Sequence, residues 1–167
     1  MSSSTTHALF ERYHACWEAR DPDRIAELHT PDAVFHLHAG QEPARGRDAI
    51  RDAAAETFKL VPDLAFTEVS LRVGDDFWVA QWKMSGTSAA GSPVDIDLVD
   101  FVVVEDGAVK EKHSYVDGVA MRAALTPPTA DTAVPADTAV MADTANTAVT
   151  MVAAVPTATA DTADTAP

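Results

Sequence analysis

Apolar positions recur at helical spacing in the first third of the chain and at a spacing of two beyond it. Leu9, Phe10, Tyr13, Cys16 and Trp17 share one stripe, which predicts a helix over about residues 5–20. Asp21-Pro22 is a capping side chain followed by a proline at the first helical position. A short second helix is expected from there to about His29, with Ile25 and Leu28 inward. Pro31-Asp32 breaks it, Ala33–His38 alternates as a short strand, and Ala39–Gly46, with two glycines and a proline, reads as loop. Ile50, Ala53, Ala54, Thr57, Phe58 and Val61 then fall on one stripe of a third helix, stopped by Pro62.

From Leu64 onward the alternation is that of strands. Leu64–Val73 and Phe77–Thr87 flank the turn Gly74-Asp75-Asp76. After a loop at Ser88–Pro93, Val94–Val104 and Ala108–Asp117 flank the tight turn Glu105-Asp106-Gly107. Helices first and an antiparallel meander last define an α+β class. In Val94–Val104, Ile96, Leu98, Val102 and Val104 occupy one face while Val99, Phe101 and Val103 occupy the other. Three helices cover one side of a sheet, so the second apolar face is expected to meet another copy of the chain in a homodimer.

Composition divides the 167 residues in two. Residues 1–125 hold every Gly, Trp, Tyr and Phe, and also all 12 cations and 21 of the 26 acidic residues, a net charge of −9. Residues 126–167 contain 13 Ala, 11 Thr, five Pro and five Asp, with the triplet Asp-Thr-Ala repeated five times. Without large side chains such a segment cannot offset the entropy of ordering it, so a disordered, acidic, low-complexity C-terminal tail is expected. The acidic balance argues against nucleic acid and anionic membrane surfaces as partners. A single cysteine excludes an intramolecular disulfide. The N-terminal Met-Ser-Ser-Ser-Thr-Thr-His has neither a basic region nor an apolar run after it, so a cytoplasmic location is expected.

The order of elements resembles the NTF2-like superfamily, as do Gly46-Arg47-Asp48-Ala49-Ile50-Arg51 at the start of the third helix and Glu105-Asp106-Gly107 before the last strand. The resemblance covers about residues 7–120. It implies a cone: three N-terminal helices packed on a curved antiparallel sheet around an apolar cavity. Within the superfamily the front half is most similar to the ketosteroid isomerases, through Tyr13, Asp21, Asp23, Ile25, Leu28, Asp32, Ala33, Gly40, Glu42, Pro43, Gly46, Ala49, Ile50 and Arg51. Val99-Asp100-Phe101 sits where that family has an Ile-Asp pair.

That resemblance carries chemistry. In such enzymes a carboxylate moves a proton beside a ketone, while a tyrosine and a neutral aspartic acid hold the developing oxyanion. Tyr13 falls on the tyrosine position and Asp100 on that of the neutral acid, where Leu98 and Val102 as same-face neighbours would favour an uncharged side chain. The base position falls on Leu37, which cannot take a proton. His36 and His38 flank it, but strand alternation directs them to the opposite face unless a bulge intervenes. In SnoaL-like cyclases, which the chain also resembles, an acid near the end of the last strand is the catalytic acid/base; Asp117 is the closest match, and the register there is open. His113, Tyr115 and Asp117 share one face; the isomerase register turns Lys112, Ser114 and Val116 inward instead.

The candidate catalytic residues are therefore Tyr13, Asp100, His38, His36 and Asp117, and the candidate substrate-binding residues are Phe35, Leu37, Phe58, Trp82 and Met84. His36-x-His38 could offer two metal ligands on one strand face, but nothing in the spacing demands a third, and no metal or other cofactor is assigned. Cys16 reads as packing, and His7, His14 and His29 as helix-surface residues. The resulting expectation is a cofactor-free isomerase or cyclase-like protein acting on an apolar polycyclic ketone, a steroid or polyketide. Leu37 favours a non-catalytic small-molecule-binding protein as the alternative, and the open sheet face a dimeric scaffold.

Overall fold

A computed structural model describes residues 2–127. Helix α1 (Ser3–Glu18) buries Thr6, Leu9, Phe10, Tyr13 and Trp17 along the expected stripe. At the start of α2 (Pro22–Glu27) the Asp21 side chain accepts a hydrogen bond from the Arg24 amide at 3.1 Å, and Pro22 begins the helix. Strand β1 (His29–His38) and the two-residue β2 (Ala44–Arg45) precede α3 (Gly46–Leu60). Strands β3 (Ala65–Val73), β4 (Phe77–Thr87), β5 (Pro93–Glu105) and β6 (Ala108–Val116) follow, and α4 (Gly118–Leu125) closes the described chain.

The six strands form one sheet in the order β2-β1-β6-β5-β4-β3. The class is α+β as expected, and helices packed against the sheet make the NTF2-like cone. The sheet is mixed, however, where a wholly antiparallel one was expected: β1 runs parallel to β6, and the other neighbours are antiparallel. The meander of β3 to β6 ends with β6 beside β1, and their pairing joins β1 and β2 to the meander in one sheet. This places β6 in the middle of the sheet.

Three local differences have physical reasons. The second helix ends at Glu27 and His29 already belongs to β1, because a register shift between His29 and Val34 lets the strand pass Pro31-Asp32. The loop expected over Ala39–Gly46 contains β2, whose Ala44 pairs with Phe35. The final helix α4 was not anticipated; Asp117 caps it, accepting from the amides of Val119 and Ala120 at 2.9 and 3.0 Å. The β5–β6 turn matches its sequence: Asp106 and Gly107 take φ of +50° and +79°, the two positive values that a type I′ hairpin turn needs.

One apolar core joins α1, Ile25, Ala54, Trp78, Ala80, Trp82, Met84 and the inward residues of β5. A smaller cluster of Ala33, Phe35 and Ile50 ties β1 to α3. On β5 burial alternates: Val94, Ile96, Leu98, Asp100, Val102 and Val104 are buried, while Phe101 on the other face is 39% exposed. No helix among the described residues is long and apolar enough to cross a membrane. The tail expected over residues 126–167 lies, apart from its first two residues, outside the described residues.

Candidate active site

The cavity lies between α1 and the inward face of the sheet. Its volume is about 110 Å³, it opens to solvent on one side, and most of its wall is apolar: Phe10, Trp17, Phe35, Leu37, Trp82 and Met84 among others. Helical spacing on α1 turns Phe10, Tyr13 and Trp17 toward it. Alternation on β1 turns Phe35 and Leu37 in, and alternation on β4 does so for Trp78, Trp82 and Met84. Four of the five expected substrate-binding residues thus line the cavity. The fifth, Phe58, instead packs edge-on against Trp17, ring centroids 5.4 Å apart.

Polar groups enter this apolar wall from two places. Asp100 on β5 stands opposite Ser114 on β6, and Lys112 lies one inward position further along β6. Lys112 Nζ is 2.9 Å from Asp100 Oδ2 and donates to Ser114 Oγ at 3.1 Å; Ser114 donates to Asp100 Oδ1 at 2.5 Å. The ammonium also sits 5.2 and 5.1 Å from the ring centroids of Trp17 and Phe35. Lys112 is 5% exposed, and a buried cation persists only when paired and hydrogen-bonded. Both oxygens of Asp100 accept, so it forms an ion pair where the sequence suggested a neutral donor. The cause is the cation that β6 brings across the β5–β6 hairpin.

Tyr13 reaches the cavity from α1. Its hydroxyl lies 3.4 Å from Nε2 of His29, whose Nδ1 lies 2.8 Å from the carbonyl of Ile25. That carbonyl accepts a hydrogen bond from Nδ1–H, which leaves Nε2 as the acceptor for the phenol. Burial pushes the Tyr13 phenol up, with the nearby Asp100 charge adding to the effect, so it stays a neutral donor. Burial pushes His29 down, to about 4, against the opposing Ile25 bond. His29, expected on a helix surface, is fully buried behind Tyr13. Two further donors are unpaired among the described residues: the buried indole N–H groups of Trp17 and Trp82.

The remaining candidates are elsewhere. The last strand takes the register with Lys112, Ser114 and Val116 inward. His36 and His38 lie on the opposite face of β1 from Leu37 and meet His113. Burial and the neighbouring His36 and His113 hold His38 below its ordinary range. Asp117 caps α4. Tyr13 and Asp100 therefore share one cavity, and His36, His38 and Asp117 do not line it. Lys112, Ser114, His29 and His14, whose ring stacks on Trp82 at 4.7 Å, are the residues that sequence reasoning passed over as site residues. Only the inward alternative for Lys112 and Ser114 signalled any of them.

A sheet curved around helices over an apolar cavity with a few convergent polar groups defines an NTF2-like protein. Residues 10–112 match the SnoaL-like domain model. The chain belongs to the SnoaL-like domain family. It is similar to a SnoaL-like polyketide cyclase candidate from Jannaschia sp. CCS1, at 22% identity and TM-score 0.68, covering 77% of this chain and 96% of that one. It is similar also to a loop-truncation variant of IdmH, at 25% identity and TM-score 0.60, covering 72% and 98%. TerC, crystallised with polyporic acid, shares the fold at 17% identity and TM-score 0.66, covering 72% and 98%. No curated protein sequence matches significantly. Family and fold together support a coarse role, isomerase- or cyclase-like or ligand-binding.

Proposed function

We propose that this protein is a cofactor-free isomerase or cyclase that binds one end of an apolar polycyclic ketone in the cavity and stabilises its enolate. The observation that carries the reading is the Asp100–Lys112–Ser114 cluster set into an otherwise aromatic wall. Asp100 takes a proton from the carbon beside the carbonyl and later returns it at another carbon. The negative charge that develops on the ketone oxygen is held by the Lys112 ammonium and by the Tyr13 hydroxyl, turned from its long contact with His29. Preorganised donors in a water-poor site are worth most where charge develops. The proton role expected for His36, His38 or Asp117 passes to Asp100, the acid that lines the cavity.

Size supports entry by one ring only. A dry cavity of about 150 Å³ takes a benzene, so a volume of about 110 Å³, open at its mouth, admits at most a single ring end. The other rings would lie toward the mouth, where the exposed Leu60 contributes. The indole N–H groups of Trp17 and Trp82 are donors for oxygens on such a ligand. A second copy on the outer face of β5 is the partner this reading carries.

Binding without chemistry is the second reading, favoured by Leu37 in the cavity wall where ketosteroid isomerases carry their base. Titration with a phenolic steroid, a mimic of the enolate, tests both. The wild type should bind it, and Lys112→Met should weaken binding roughly tenfold or more, the worth of one hydrogen bond to a charged group. Turnover of an unconjugated ketosteroid that disappears in Asp100→Asn supports catalysis. Binding with no turnover selects the second reading. Failure of wild type, Tyr13→Phe and Asp100→Asn alike to bind would overturn the oxyanion site.

A further inference from the structure

The outer face of the sheet carries a second constellation, on the side of β1 and β6 away from the cavity. His36 and His38 are two residues apart on β1, so their side chains leave the same face. The parallel register sets His36 directly opposite His113 and His38 opposite Tyr115. One ring nitrogen from each of His36, His38 and His113 lies within 4.8 Å of the others, and all three residues are half-buried. His38 Nε2 and His113 Nδ1 are 3.0 Å apart. Two nitrogens bound to one tetrahedral zinc at roughly 2.0–2.1 Å stand about 3.3 Å apart, so the pair needs only a small adjustment to share an ion.

The surroundings fit as well. His113 presents Nδ1 to His38 and Nε2 to Glu111, whose Oε2 is 3.4 Å away. A carboxylate on the far nitrogen of a ligating imidazole fixes its tautomer and raises its basicity. The carbonyl of Gln41, 3.2 Å from Nε2, holds the His36 ring. The Tyr115 ring stacks on His38 with centroids 4.2 Å apart, which limits rotation of that imidazole. Three imidazoles brought this close repel one another once protonated; a shared cation turns the same crowding into attraction.

We infer that His36, His38 and His113 form a three-imidazole site for a late first-row divalent metal, zinc above all, with Glu111 as the outer carboxylate. Three protein nitrogens leave the fourth tetrahedral position for water or an external ligand. The site stands on the other face of β6 from Lys112 and does not depend on the enolate chemistry proposed for the cavity.

Zinc titration of the full chain by calorimetry, after treatment with a chelator, tests it. Expected is one zinc per chain, competed by cobalt, whose complex should show the intense visible bands of a tetrahedral nitrogen site. His38→Ala and His113→Ala should each weaken binding by roughly tenfold or more, and Glu111→Gln by about tenfold, the lower end of what an outer partner contributes. His7→Ala, which removes an exposed histidine on α1, should leave binding unchanged. Circular dichroism of each variant separates lost ligation from lost fold. Absence of stoichiometric zinc binding in the wild type overturns the assignment. So does equal affinity in the folded double variant His38→Ala/His113→Ala, or cobalt bands of the weak octahedral kind.

Discussion

Acidification should cost this fold about 3 kcal/mol through His29 alone. His29 is fully buried, Nδ1 spent on the Ile25 carbonyl and Nε2 facing the Tyr13 hydroxyl. Protonation would put a cation where only a phenol can answer it, with Lys112 and Arg47 adding repulsion. Burial, the larger cause, and these charges lower its pKa from 6.5 to about 4. At about 1.4 kcal/mol for each factor of ten, that fall amounts to about 3 kcal/mol, a large share of the roughly 5–15 kcal/mol that holds a typical domain together. The direction follows from proton counting. Between pH 6.5 and 4 the unfolded chain binds a proton at this position and the native one does not, so stability rises with pH across that window. It is complete above about 6.5, falls progressively toward 4, and loses nothing more from this residue below that. Urea unfolding from pH 7.5 to 4.5 on the wild type and His29→Gln isolates the effect, because carboxylates that titrate in both cancel in the difference. The variant should be less stable at pH 7.5, and the gap should narrow as pH falls. A gap that stays constant across the window would refute the picture of a buried, neutral histidine.

Two shorter predictions concern the site's supports. Asp100→Asn leaves the Lys112 ammonium buried without a counter-charge, among neutral acceptors and two aromatic faces, and should cost about 3–5 kcal/mol in chemical denaturation; adding Lys112→Met should recover most of it, and no recovery would show that the pair is not the source. Asp117→Ala removes both cap bonds of α4 and should cost about 1 kcal/mol, read as lost amide-exchange protection at Val119 and Ala120.

Local rules in the sequence carried far into the fold. The α1 stripe, the limits of β4, and the Asp106-Gly107 turn follow from spacing and turn chemistry, and each appears where those rules put it. What the sequence hid depends on how strands pair and on local signals that fit two readings. His29 looked like the end of a helix because Pro31-Asp32 is an ordinary break. Only pairing with β6, which absorbs a register shift, lets a strand continue through it. Helix α4 had a local signal, Asp117 before a run of helix formers, but the same aspartate also suited a strand end. The ion pair of Lys112 with Asp100 joins residues on two strands, and a lysine in an alternating segment is ordinarily read as facing water.

The two constellations are consequences of one alignment. Lys112 and Ser114 leave β6 toward the cavity, and His113 leaves it toward the outer face. Strand side chains alternate with a period of two, so a slip of one residue would exchange these sets. His113 and Tyr115 would then face Trp17 and Phe35, and Lys112 would lose Asp100. Two features hold the register against that slip. The I′ turn at Asp106-Gly107 starts the pairing with Val104 opposite Val109, and an irregularity just after it shifts the pairing by one residue so that Asp100 meets Ser114; buried Val109 also gives its amide to the Leu28 carbonyl at 2.8 Å. Past the register shift between His29 and Val34, the parallel pairing sets His36 opposite His113. The one-residue irregularity at the start of β6 therefore turns Lys112 and Ser114 into the cone and His113 out of it; without it the turn would bring His113, not Ser114, opposite Asp100.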